Sequence, residues 1–231
     1  MALKDRKKKK KSARPMTRRV SVVQGRPWPL DKQPRTASHL AASKLDQTTL
    51  VSTVGHSTRP VKDFVALLLA HGVKQLVDVR TIPRSRYNPQ FNLNRLPRPL
   101  QQAGIRYRHI AGLGGLRHAR RDSINTGWRN ASFRGFADYM QTPEFEEALD
   151  QLIHLAQKRR TAIMCAEAVP WRCHRSMIGD ALLVRGLRVE EIASPTRTRP
   201  HTLTPWARVR KKQLSYPAYQ EDTQAAGRKT T

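Results

Sequence analysis

Between Thr49 and Ile192, short runs of β-branched and apolar residues alternate with stretches of helical period. That alternation limits what the chain can fold into more than any other feature. Thr49 to Val54 ends at Gly55 and predicts a first strand; Leu76 to Val79, Ile105 to Ile110, Thr161 to Met164 and Arg188 to Ile192 predict four more. Strands separated by helical stretches pair in parallel and bury both faces under helices. The expected fold is therefore α/β, a mostly parallel five-stranded sheet with helices on both faces and the last strand at an edge.

The helical stretches carry their own start and stop signals. Thr58 can cap a helix with Pro60 in its first turn, Phe64, Leu67, Leu68 and His71 follow the i, i+3, i+4, i+7 spacing, and Gly72 stops it. A second helix covers Leu96 to Ala103. The clearest opens at Thr142 and Pro143, with glutamates in its first turns and Lys158, Arg159 and Arg160 at its end, the charge order a helix dipole favours. Another runs from Cys173 to Arg185 with Met177, Ile178, Ala181 and Leu182 inward, and Gly186 follows it. Gly112 to Trp128 reads as irregular.

Charge divides the chain differently. The sequence has 231 residues and a formal net charge of +27. Residues 50–194 hold 22 Lys and Arg against 12 Asp and Glu, while the shorter flanks hold the other 22 against only 5. A run such as Lys7 to Lys11 repels itself and has nothing to bury. The predicted organisation is a disordered basic arm at 1–47, an α/β domain at 48–194 and a basic, Pro- and Thr-containing, mostly irregular tail at 195–231. Such flanks suit salt-sensitive attachment to nucleic acid or another polyanion through counterion release, without base reading.

Several classes drop out. The longest apolar run, Val65 to Ala70, is far shorter than the roughly 20 residues of a membrane span. The basic start leads into no signal-like apolar stretch. Two cysteines make no disulfide framework, so a reducing, cytoplasmic setting and no membrane partner are expected.

In parallel sheets the ligand sits beyond the carboxyl ends of the strands. Gly55-His56-Ser57, Asp78-Val79-Arg80, the segment after Ile110, and Cys165-Ala166-Glu167 should therefore share one crevice. The most distinctive segment is Met164-Cys165-Ala166-Glu167 with Pro170-Trp171-Arg172-Cys173-His174-Arg175-Ser176. With Thr53-Val54-Gly55-His56-Ser57, with Asp78-Val79-Arg80 followed by Pro83, Ser85, Asn88-Pro89 and Phe91, and with Leu113-Gly114-Gly115, it resembles the bacterial family catalogued as domain of unknown function 488. The resemblance spans about residues 51 to 192. It implies a compact α/β domain and brings no established reaction.

The residues themselves define the chemistry to test. Cys173 and His174 fall at a helix N-terminus, where free N–H groups favour a thiolate, so Cys173 is a candidate nucleophile with His174 or His56 as base. Cys165, and Cys173 too, can equally be small buried hydrophobes. Asp78 and Glu167 are candidate proton carriers; the alternative is ion pairing, Asp78 with Arg80 and Glu167 with Arg172 or Arg175. His56 and Ser57 enter a helix N-terminus that can hold a phosphate, and Arg80, Arg84, Arg86 and Arg175 are the cations that would grip it. The spacing of the two cysteines and the adjacent Cys-His pair fits no structural zinc finger, so no metal is expected. Gly112, Gly114 and Gly115 lack the dinucleotide spacing, and no cofactor is expected. Arg117, His118, Arg120, Arg121 and Arg129 near Trp128 suit base stacking with phosphate contact, or a plain surface loop.

The sequence thus points to a polar, Arg-rich crevice acting on or binding a phosphate-bearing ligand, a nucleotide or nucleic acid. The alternative is a non-catalytic nucleic-acid-binding protein whose tails supply the affinity.

Overall fold

The computed structural model describes residues 49–218. The predicted arm at 1–47 and the last part of the predicted tail lie outside the described residues. The chain forms β1 (Leu50–Gly55), α1 (Val61–Ala70), β2 (Gln75–Asp78), α2 (Pro97–Gln102), β3 (Arg106–His109), α3 (Ala131–Tyr139), α4 (Pro143–Lys158), β4 (Thr161–Cys165), α5 (Arg175–Val184), β5 (Arg188–Ser194), β6 (Arg197–Pro200), β7 (Arg208–Arg210) and β8 (Gln213–Ser215).

The α/β class is as expected: β1 to β5 pair in parallel, in the order β3-β2-β4-β1-β5. The strand count is not. β6 joins β5 antiparallel, making the sheet six-stranded, so β5 is interior and β6 forms the edge. All four residues of β6 are exposed, which is why no apolar alternation announces it. β1 lies between β4 and β5, so the chain leaves it toward β2 on one side and returns to β5 on the other.

Alternate residues of β1, β2, β4 and β5 feed two cores. On one face Val54, Leu76, Ala162 and Met164 meet Phe64 and Leu68 of α1 and Leu100 of α2. On the other, Val51, Val77, Ile163 and Val189 meet Phe136 of α3, Phe145, Leu149 and Leu152 of α4, and Met177, Ile178 and Leu182 of α5. Helices therefore cover both faces. Thr142 caps α4 by accepting from the Phe145 N–H, as predicted. Gly72, Gly104 and Gly186 take positive φ (66°, 71° and 81°) just past α1, α2 and α5, a conformation glycine adopts without Cβ strain.

Two expectations need correction, and one helix was not predicted. Thr58 does not cap α1: Pro60 is its N-cap and no side chain satisfies the first turn. The stretch Gly112 to Trp128 is irregular as expected beyond a 3-10 turn at Ala111–Leu113, and what the sequence did not predict is the helix after it, α3, whose Asn130 cap accepts from the N–H groups of Ser132 and Phe133. And residues 195–218 are part of the fold, against the expected irregular tail. Tyr216, fully buried, donates its hydroxyl to Asp180 of α5 at 2.9 Å, and His201 approaches the other carboxylate oxygen at 2.9 Å. Leu214 joins the same core. A buried carboxylate needs such partners, so the segment that supplies them is held down.

Candidate active site

The site begins with a close backbone approach. The His56 N–H donates to the Cys165 carbonyl at 3.0 Å and the Ser57 N–H to that of Ala166 at 2.9 Å, which ties the ends of β1 and β4 together. A Cβ on Gly55 would lie 2.0 Å from the Glu167 carbonyl oxygen, so only glycine lets the two segments pass.

Below this junction lies a buried polar network. Asp78, fully buried, accepts from the Arg80 Nε at 2.9 Å, from a terminal Arg80 nitrogen at 2.6 Å and from the Tyr107 hydroxyl at 2.7 Å. That same Arg80 nitrogen donates to the Phe91 carbonyl at 2.6 Å, and the other lies 3.3 Å from His56 Nε2. His56, 1% exposed, stacks on Phe91 with ring centroids 4.1 Å apart. Its Nδ1 is 2.7 Å from the Ser57 carbonyl, which can only accept. Nδ1 therefore carries the proton and Nε2 accepts from Arg80, the neutral tautomer. Burial is the main reason the His56 pKa falls to about 4, with Arg80 adding to it against the Ser57 hydrogen bond. Burial and the neighbouring Asp78 push the Tyr107 hydroxyl up. Of the two readings of Asp78, the structure shows the ion pair with Arg80.

A second cluster stands beside it. Cys165 ends β4, Cys173 precedes α5, His174 is the α5 N-cap and Arg175 its first residue. One ligand atom from each of Cys165, Cys173 and His174 lies within 4.8 Å of the others. His174 Nε2 is 2.9 Å from the Val79 carbonyl, so Nε2 is the protonated nitrogen and Nδ1, 3.7 Å from Cys173 Sγ, is left as acceptor. Arg175, fully buried, donates its Nε to Cys173 Sγ at 3.4 Å and a terminal nitrogen to the Glu167 carbonyl at 2.6 Å. Its other terminal nitrogen has no hydrogen-bond partner among the described residues. The adjacent Cys165 thiol holds the Cys173 thiol well below the usual thiol range; His174 and Arg175 lower it further and burial opposes them. The same contact and burial push Cys165 up.

These groups open on a cavity of about 410 Å³ lined by Cys165, Glu167, Cys173 and His174 with Arg80, Arg84 and Arg172. Glu167 is exposed and makes no ion pair with Arg172 or Arg175 among the described residues; its carboxylate meets only the Val169 N–H, at 3.5 Å. Arg84 and Arg172 are exposed at the rim. His56, Asp78 and Arg175 reach the cavity only through Arg80 and Cys173. Ser57 and Arg86 do not line it, and the Ser57 N–H that was to hold an anion is spent on Ala166.

The sequence reading missed Ser132 and Phe133 of α3 in the lining. The Asn130 cap with Phe133, Phe136, Ala137 and Met140 at helical spacing was the available signal. It also missed Gly115, where a Cβ would stand 2.5 Å from His174 Nδ1. The suggested stacking loop is otherwise employed: Trp128 stacks on Phe133 at 5.0 Å and meets Trp206 and Tyr216. The Arg117 guanidinium lies 3.6 Å over the Tyr139 ring.

Fold and site together define a three-layer α/β domain with a paired-thiol crevice at the carboxyl ends of β2 and β4. Residues 60–182, more than half of the chain, match the family described as domain of unknown function DUF488, and the chain belongs to that family. The matched span runs from just before α1 into α5 and so contains both cysteines, His174 and Arg175. No curated protein and no solved structure matches the chain.

Proposed function

We propose that the domain is a thiol-dependent enzyme acting on a phosphate-bearing ligand, a nucleotide or nucleic acid, with Cys173 as nucleophile. The observation that carries this reading is the oriented Cys173–His174 pair opening on a cavity whose rim holds Arg84 and Arg172. A nucleophile beside a base that a third group orients is the arrangement covalent catalysis needs. His174 Nδ1 takes the Cys173 proton and returns it to the leaving oxygen as sulfur attacks. Arg84 and Arg172, free to move, meet the anion. Glu167 then accepts the proton of the water that releases the intermediate. Arg80 and Asp78 support the floor, since their hydrogen-bonding groups are already engaged.

The test compares wild type with Cys173→Ser and Glu167→Gln by thermal melting, nucleotide binding calorimetry and phosphate release. The reading expects both variants to fold, to bind within a few-fold of wild type, and to lose turnover. Normal turnover per folded molecule in Cys173→Ser would end it.

A second reading, polyanion binding without chemistry, rests on the charge of the flanks and on Arg197, Arg199, Arg208 and Arg210, all exposed on β6 and β7. A shift assay on the whole chain and on residues 48–218 at two salt concentrations discriminates. Equal affinity with no salt slope would refute it.

A further inference from the structure

The nucleophile reading uses one sulfur and leaves the other unexplained. Cys165 is half-buried, lines the cavity and lies within 4.8 Å of both Cys173 Sγ and His174. A sulfur placed only to fill space need not face both a second thiol and a cavity. We infer that Cys173 and Cys165 form a two-electron thiol peroxidase site, in which Cys173 reacts with a small hydroperoxide and Cys165 resolves the product as an intramolecular disulfide.

The local geometry supplies each requirement. Cys173 is only 4% exposed, so the oxidant must be small, and a hydroperoxide entering the cavity beside Cys165 meets that limit. Sulfur attacks the distal oxygen: an S–O bond forms, the O–O bond breaks, and the departing oxygen takes the proton that His174 Nδ1 received from Cys173. The Cys173 sulfenic oxygen is a new acceptor, and the unpartnered terminal nitrogen of buried Arg175, on the guanidinium already bonded to Cys173 Sγ, is a donor for it. The Cys165 thiol then attacks the Cys173 sulfur, forming S–S and releasing the sulfenic oxygen as water. The balance is two thiols and one peroxide to one disulfide and two molecules of water or alcohol. A dithiol reductant closes the cycle.

The sulfurs must approach to about 2.05 Å. Cys165 is fixed at the end of β4, so Cys173 moves, and the segment that lets it move is Ala166 to Arg172. None of those residues is buried, and the 3-10 turn at Pro170–Arg172 has no buried side chain.

The peroxidase reaction shares Cys173 with the proposed phosphate chemistry but not its ligand. The test treats reduced full-length protein with stoichiometric hydrogen peroxide and reads intact mass under denaturing, non-reducing conditions. Expected is a single chain lighter by two hydrogen atoms, with both thiols lost to titration. Cys165→Ser should stop at a sulfenic acid that a dimedone probe traps on Cys173. Cys173→Ser should leave Cys165 oxidised about tenfold more slowly, as an ordinary protonated thiol. Peroxide consumption with dithiothreitol should exceed that of Cys173→Ser by a similar factor. Circular dichroism confirms that each variant is folded, and the wild-type mass does not depend on them.

Two results would overturn the inference. One is wild-type protein that keeps both titratable thiols after peroxide. The other is a stoichiometric zinc ion bound by the purified protein and lost in both variants, which would make the sulfurs ligands. Nucleotide binding retained by Cys165→Ser while the disulfide is lost separates failure of this inference from failure of the proposed reaction.

Discussion

His56 gives the structure a specific acid weakness. It is held neutral between the Ser57 carbonyl and an Arg80 N–H and stacked on Phe91. A second proton would turn its Nε2 from an acceptor into a donor facing a guanidinium. Burial lowers its pKa from 6.5 to about 4. Because the folded value lies below the unfolded one, the unfolded chain takes the proton first. The contribution is complete above about pH 6.5 and is lost as pH falls toward 4. At 1.36 kcal/mol per unit the full difference is about 3.4 kcal/mol, and about 2 kcal/mol of it disappears between pH 7 and pH 5. Urea unfolding at pH 7, 6 and 5 measures it, with His56→Gln as reference because glutamine keeps an amide donor and gains no proton. Wild type should lose about 2 kcal/mol more than the variant over that interval. Parallel pH dependence in the two proteins would refute the neutral, buried assignment.

Two further outcomes follow from the same geometry. Asp78→Asn leaves the Arg80 guanidinium buried without its counter-charge, and equilibrium unfolding should show a loss of about 3 kcal/mol or more; a loss under about 1 kcal/mol would mean water reaches the pair. Gly115→Ala brings a methyl group to within 2.5 Å of His174 Nδ1, so the ring must leave the Val79 carbonyl. Iodoacetamide alkylation of Cys173 at neutral pH should then slow about tenfold toward an ordinary thiol rate, and an unchanged rate would remove His174 from the activation of Cys173.

What the sequence revealed and concealed follows from how each element is stabilised. β1, β2 and β4 are short runs buried almost without interruption, and α4 buries apolar residues at helical spacing and adds Thr142 and a charge gradient, so their pattern is local and readable. β6 is exposed along its length and is held by backbone pairing to β5, which leaves no trace in side-chain hydrophobicity. The C-terminal segment is fixed by tertiary polar contacts: Tyr216 reaches Asp180 from 36 residues away, and its own N–H donates to Asn125. No local window contains both partners. For the site, the carboxyl-edge rule brought His56, Asp78, Glu167 and His174 to one end of the sheet, but it could not say which were free. Asp78 and Arg80 satisfy each other, and Glu167 does not find the arginines next to it in sequence.

That division between satisfied and free groups explains the glycines as well. Gly114 and Gly115 read poorly as a nucleotide loop, and their surroundings give them a different role. A Cβ at Gly114 would stand 2.4 Å from the Thr81 hydroxyl oxygen, and at Gly115 it would strike His174. Gly55 performs the same service against the Glu167 carbonyl, the group that anchors Arg175. In all three places backbone must come within contact distance of a segment that positions the Cys173 cluster, and a side chain would push that segment away. The glycines, the Val79 carbonyl and buried Arg175 therefore act on one object, the placement of Cys173 between an imidazole acceptor and a guanidinium donor. A buried guanidinium and an oriented imidazole are costly to hold around a sulfur that only fills space. Around a sulfur that must carry negative charge, the guanidinium lowers the energy of the charged form directly, and the imidazole does so once its Nδ1 has taken the thiol proton.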